Sequence, residues 1–155
     1  KGAEVARMTE KDMEDVLQIR TALEELAIGL SCQKITAAEL TELQAAMEQF
    51  VEMTKTDNIA EVARADVNFH DVLYKASDMT NNARLIQIIN NLREQMYRYR
   101  VEYLKDRTIY PQLIEEHHQM YEALREKDAD KAAAYTRKHL ENQAEAVKKI
   151  IREQE

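Results

Sequence analysis

Two glycines and one proline in 155 residues are too few to turn a β-sheet of this size, because tight turns draw on Gly, Pro, Asn and Asp. An all-α chain of long helices with short joints is the expected fold class. Apolar residues make up 45% of the chain, enough to bury the core of one domain and too many for a disordered segment. No apolar run approaches the roughly 18–20 residues that a membrane-spanning helix needs, so no membrane partner is expected. The excess of 29 acidic over 22 basic residues gives a net charge of −7. That balance disfavours direct binding to a phosphate backbone, which needs clustered Lys and Arg. The single cysteine, Cys32, excludes an internal disulfide and a cysteine-based zinc site, and suits a reducing cytoplasm. No leader is visible at Lys1-Gly2-Ala3, and a start without Met reads as a processed or excised piece.

Hydrophobic periodicity and capping signals predict about six helices. The first runs from about Met8 to Ser31, opened by Thr9-x-x-Asp12. The second opens at Thr36-x-x-Glu39, a capping box. The third follows Asp57 as N-cap, the fourth runs unbroken from Asn81-Asn82 to Tyr103, and the fifth starts near Pro111. The sixth begins at Asp128 or Asp130 and runs to Ile151. Each carries one apolar stripe, so the helices must bury those stripes against one another in an antiparallel bundle of six to seven helices.

Polar residues on those stripes carry the chemical information. Asp66 and His70 are four apart and share a face with Val62 and Leu73. A carboxylate buried there needs a cation or several donors. His117 stands amid Leu113, Met120 and Leu124, whereas His118 is one step round, on an exposed face. His139 lies between Tyr135 and Asn142, where periodicity does not fix its direction. One carboxylate and three imidazoles on separate helices suit a divalent metal such as Zn²⁺, Ni²⁺, Mn²⁺ or Fe²⁺. The plain alternative is local hydrogen bonding in a core, since Asp-x-x-x-His pairs are common on helices. Arg20 shares the stripe of Val16, Leu23 and Ala27. It is either paired with Glu24 one turn on, or snorkelling to water, or held inside to grip a carboxylate bidentately. Arg93 and Arg100, seven apart on one side, suit an anionic ligand.

Other patterns are weaker. Glu115-x-x-His118 is half of a di-iron bundle motif and finds no second half. The alternating Tyr and Arg of 97–103 spread around a helix axis rather than forming a nucleic-acid surface. The seven methionines are scattered as in a helical core. No phosphate loop, nucleophile elbow or His-Glu-x-x-His is present, and no catalytic residue is assigned.

Together, several segments resemble the FadR C-terminal domain family, called FCD, the effector-binding domain of one branch of GntR-type bacterial transcription regulators. They are Ile19-Arg20-Thr21-Ala22-Leu23-Glu24 with Ala27, Asp66-Val67-Asn68-Phe69-His70, and Asn82-Ala83-Arg84-Leu85. Glu116-His117, then Glu122-Ala123-Leu124 with Asp128 and Ala132, then His139-Leu140 complete the pattern. The likeness runs from about residue 12 to residue 145. It implies a homodimeric all-α bundle. In the metal-containing branch it implies a divalent metal, zinc first, held by Asp66, His70, His117 and His139. It places Arg20 in the effector pocket. Arg100 and Asn82 are expected as further ligand contacts. The effectors implied are small organic acids, and an acyl-CoA effector is disfavoured because the full metal set is kept. The winged helix-turn-helix that such regulators carry for DNA has no counterpart in these residues. Two other readings stand beside it: a metal-dependent hydrolase-like enzyme, and a metal-free helical interaction module.

Overall fold

Local signals place the helix starts well. In the computed structural model, which describes residues 7–78 and 82–154, α1 spans Glu10–Lys34 and α2 spans Ala37–Thr54. Both open with full capping boxes. Thr9 Oγ1 accepts from the Asp12 N–H at 3.0 Å while Asp12 Oδ2 accepts from the Thr9 N–H at 2.8 Å. Thr36 and Glu39 exchange the same pair of bonds at 3.1 Å each. Each cap is worth about 1 kcal/mol, because it satisfies backbone donors that no helical carbonyl can reach.

Helix α3, Ile59–Asp78, corrects the expected cap by one residue. Asn58 Oδ1 accepts from the Glu61 N–H at 3.2 Å. Asp57 instead lies 3.3 Å from the Arg107 guanidinium. The expected fourth helix is two: α4, Ala83–Gln95, and α5, Tyr97–Tyr103. At the joint the Met96 N–H reaches back only to the Arg93 carbonyl, at 3.1 Å. No Gly or Pro stands there, so packing makes the break. Met96, Tyr99 and Tyr103 are buried in one apolar cluster with Met13 of α1, whereas Leu85 and Ile89 of α4 belong to another.

A 3-10 turn at Arg107–Ile109 leads into α6, Tyr110–Arg125, with Pro111 in its first turn. Lys127 takes a left-handed φ of 57° between α6 and α7, Ala129–Glu153. The Asp128 N–H then reaches the Ala123 carbonyl at 2.9 Å, closing a Schellman-type stop. Asp128 also caps α7 through the Lys131 N–H, at 3.0 Å.

The described residues thus form an all-α bundle of seven helices with no strand. Helix α1 runs antiparallel to α7: Glu10 pairs with Arg152, and Glu25 pairs with Arg137 at 2.6 Å. α1 also packs on α3, and α2 on α3 and α6. No helix of the described residues is long and apolar enough to cross a membrane. The apolar interior falls into two clusters. One gathers Ala27, Leu43, Phe69, Leu73, Ile89 and Met120, and the other Met13, Phe50, Val62, Tyr99, Leu113 and Val147. Along α1, α3, α6 and α7 the sequence crosses from one cluster to the other, and the buried polar residues sit at those crossings. Arg20, Asp66, His117 and His139 form a polar layer across the middle of the bundle.

Candidate metal and effector site

The layer is built on α3. Asp66 and His70, one turn apart, are 0% and 3% exposed, and His117 of α6 is wholly buried beside them. His117 Nε2 lies 3.0 Å from Asp66 Oδ1, and His70 Nε2 lies 3.4 Å from the same oxygen. Ligand atoms of these three residues all fall within 4.8 Å of one another. Packing fixes the His117 ring, which stacks on Phe69 at 4.0 Å and meets Phe50 edge-on at 4.5 Å.

His139 of α7 stands at the margin of this group, its ring stacked on His70 at 5.0 Å. Glu116 Oε1 accepts from His139 Nδ1 at 2.6 Å. Gln112 and Asn142 donate to the other oxygen of Glu116 at 2.8 and 2.7 Å. That carboxylate holds the His139 ring by Nδ1, leaving Nε2 buried and without a hydrogen-bond partner. His118, by contrast, is exposed, as its face predicts.

The donor set fits a divalent metal. Two ligands each about 2.0–2.1 Å from one ion, at tetrahedral or octahedral angles, are about 3.0–3.4 Å apart. The spacings around Asp66 Oδ1 match that range. Both ring nitrogens of His70, Nδ1 of His117 and Nε2 of His139 are buried with no hydrogen-bond partner, which is costly for a purely structural core. Locking one nitrogen of a histidine by a carboxylate while the other faces the site is the usual support for a metal ligand.

Charge surrounds the cluster. Arg100 of α5 is 2% exposed, with Nε 3.2 Å from Asp66 Oδ2, an ion pair that lacks hydrogen-bond alignment. Arg20 is 5% exposed and does not snorkel. Its Nε donates to Glu24 Oε2 at 2.7 Å and its Nη1 to Gln143 Oε1 at 3.2 Å. The Tyr74 hydroxyl donates to Glu24 Oε1 at 2.8 Å, and Gln143 donates to the Tyr103 hydroxyl at 3.1 Å. Arg20 and Arg100 line a cavity of about 10 Å³, room for about one water. Asn82 caps α4, its Oδ1 accepting from the Leu85 N–H at 3.4 Å.

Burial alone would raise the Asp66 carboxyl, but His70, Arg100 and His117 together hold it well below the usual carboxylate range. Glu24 is lowered in the same way, by Arg20 and Arg93 against its desolvation. Desolvation lowers His70 and His117 below the ordinary histidine value. Both imidazoles are therefore neutral at pH 7, the form that ligates a metal. These directions set a pH dependence for the metal-free protein. Unfolded histidines bind protons below about pH 6.5 whereas the folded ones resist, so stability falls as pH drops through that value. The stabilisation from Asp66 and Glu24 is present above about pH 4 and is lost as pH falls further, through their lowered folded values. Urea unfolding in chelator should show the midpoint decreasing between about pH 7 and pH 5, before the carboxylates titrate. A midpoint that is flat over that interval would contradict neutral buried histidines.

Residues 15–142 match the FCD domain family. The chain belongs to that family. Among curated proteins, it is 23% identical over 154 residues to an uncharacterized HTH-type transcriptional regulator, YdhC of Bacillus subtilis (strain 168), covering 98% of this chain and 67% of that protein. The fold is also that of E. coli McbR/YncC, with a TM-score of 0.83, 19% identity, and 92% of this chain matched to 67% of that one. A GntR family transcriptional regulator from Pseudomonas syringae pv. tomato str. DC3000 matches with a TM-score of 0.74 and 23% identity, over 99% of this chain and 63% of its own. The FCD chain thus spans about two thirds of the length of these relatives. As an FCD domain it is a regulatory, effector-binding unit and not an enzyme.

The structure therefore brings Asp66, His70 and His117 together, sets His139 at their edge and Arg100 against Asp66, and places Arg20 on the small cavity that Arg100 also lines. Several partners in this FCD layer carry weak sequence signals. Gln143 lies one turn after His139, and Tyr103 lies three residues after Arg100. Glu116, which the sequence marks only as the neighbour of His117 in the Glu116-His117 segment, supports His139.

Proposed function

We propose that this chain is the effector-sensing half of a GntR-type transcription regulator, holding a divalent metal through Asp66, His70, His117 and His139 and responding to a small carboxylate. The observation that carries the reading is the convergence of Asp66, His70 and His117 beside an unpartnered His139 Nε2, under buried arginines. When bound, the ion supplies a Lewis-acidic position for a carboxylate oxygen. Zinc is the first choice for this nitrogen-rich set, with nickel, manganese and iron also compatible.

The chain's own residues supply the rest. Glu116 orients His139, Phe69 and Phe50 fix the His117 ring, and Arg100 balances the buried charge of Asp66. Arg20 presents a guanidinium beside Gln143 and the small cavity, where a carboxylate exchanges for the contact to Gln143. In a homodimer, a ligand that binds one arrangement of helices better than another shifts the population and repositions the DNA-binding part of the longer protein. That part lies outside these 155 residues, and the regulator works in the cytoplasm with its DNA.

The rival readings fit less well. Water activation needs a general base beside the metal. Glu115 is exposed and Glu116 is occupied by His139, Gln112 and Asn142. A metal-free module leaves the buried Nε2 of His139, beside the Asp66–His70–His117 cluster, without an account. The test is calorimetric titration of small carboxylates into metal-loaded and chelated protein. Heat of binding in the loaded sample alone, weakened in Arg20→Ala with metal content unchanged, is the expected result. Equal binding with and without metal would overturn the reading.

A further inference from the structure

The four candidate ligands are not held equally. Glu116 fixes His139 through a 2.6 Å bond to Nδ1. Phe69 and Phe50 clamp the ring of His117, whose Nε2 bonds to Asp66 at 3.0 Å. Asp66 in turn sits 3.2 Å from Arg100. His70 has the loosest hold. Its Nε2 lies 3.4 Å from Asp66 Oδ1, at the long end of hydrogen bonding, and its Nδ1 has no hydrogen-bond partner. Its ring neighbours are His139 at 5.0 Å, Phe69 at 5.3 Å and His117 at 5.5 Å.

His70 also lines a cavity of about 190 Å³ between α3 and α4, together with Tyr74, Lys75, Ile86 and Asn90. That is room for several waters. Asp71 and Asn90 border both this cavity and a groove of about 440 Å³ that reaches the α4–α5 joint. At the mouth, the Asp71 and Lys75 side chains are about half exposed. A second approach to the layer is a crevice of about 90 Å³ between α6 and α7, which ends on Glu116, Asn142 and Gln143. That approach is barred. Glu116 accepts from His139, Gln112 and Asn142, and Gln143 donates to Tyr103. Passage there breaks several bonds to a carboxylate, which are among the strong ones. Passage from the α3–α4 side turns one imidazole.

We propose that His70 is the exchangeable ligand of the metal site and that the α3–α4 cavity is the route of metal entry and exit. This rests on the metal reading above. The His70 ring swings into the cavity it lines, opens the site to water, and returns last. Asp66, His117 and His139 keep their places throughout.

The experiment follows zinc release from the loaded chain into excess chromogenic chelator, and zinc uptake by the metal-free chain. Asn90→Trp, at an exposed position of α4 that borders the cavity, fills the route. Ala146→Trp fills the α6–α7 crevice in the same way and is the control. A plug raises the barrier to entry and exit alike and leaves the equilibrium affinity where it was. Asn90→Trp should slow both rates at least about tenfold, with affinity within about threefold of the parent. Ala146→Trp should leave both rates within about twofold of the parent. Lys75→Trp, on the rim of the same cavity, is a second plug should Asn90→Trp fail to fold. Slowing by Ala146→Trp alone overturns the proposal and moves the route to α6–α7. Rates that all the variants slow equally, or that none slows, also overturn it. So does an α3–α4 plug that weakens affinity as much as it slows uptake, because it then acts on the bound state. A parent chain that binds no zinc overturns the metal reading itself.

Discussion

Asp66→Ala is expected to cost the metal-free protein about 3–5 kcal/mol of unfolding free energy and to abolish metal binding. The cost follows from what the carboxylate faces. Asp66 is wholly buried, with Arg100, His70 and His117 around it. Alanine leaves the Arg100 guanidinium in the interior without its counter-charge. Asp66→Asn, which keeps size and one acceptor, should fold better yet still fail to bind metal, because the site has lost its only anionic ligand. Urea unfolding in chelator reads the first effect and metal titration the second. A metal-free Asp66→Ala that is as stable as the parent would mean that Arg100 finds another partner.

Glu24→Leu is expected to be as damaging, by about 3–5 kcal/mol, for the same physical reason at the other end of the layer. Glu24 is 1% exposed and receives Arg20 Nε and the Tyr74 hydroxyl. Leucine removes the counter-charge of Arg20 and the acceptor of both bonds. The double variant Arg20→Met with Glu24→Leu removes the pair together and should recover more than half of the loss. Buried ion pairs replaced whole by apolar side chains are often neutral or better. Chemical unfolding of the four proteins of this cycle checks it. Additive losses in the double variant would show that Arg20 and Glu24 do not act as a pair.

How far the sequence led depends on how local each interaction is. The α1 and α2 caps are legible because a capping box lies within four residues. The start of α3 is off by one, because Asp57 and Asn58 are both acceptable caps and only the fold turns Asp57 toward Arg107. The α4–α5 break carries no local mark. It exists because Met96 and Tyr99 reach one apolar cluster while Ile89 reaches the other. Asp66 with His70 is legible because residues four apart share a helix face. His117 is legible because a histidine interrupts a long apolar stripe. Periodicity reports a face but not the partner across the bundle. It therefore offers Glu24 as one of several fates for Arg20, without revealing that Gln143 and Tyr74 complete that pair. The second nitrogen of His139 is readable only once Glu116 is seen on the first.

The most direct test of the account is elemental analysis of the chain purified without an affinity tag or added metal, with His117→Ala alongside. The account predicts about one divalent metal ion per chain, lost or strongly reduced in the variant. An absence of metal in the parent, with no thermal stabilisation on adding Zn²⁺, Ni²⁺ or Mn²⁺, would contradict it.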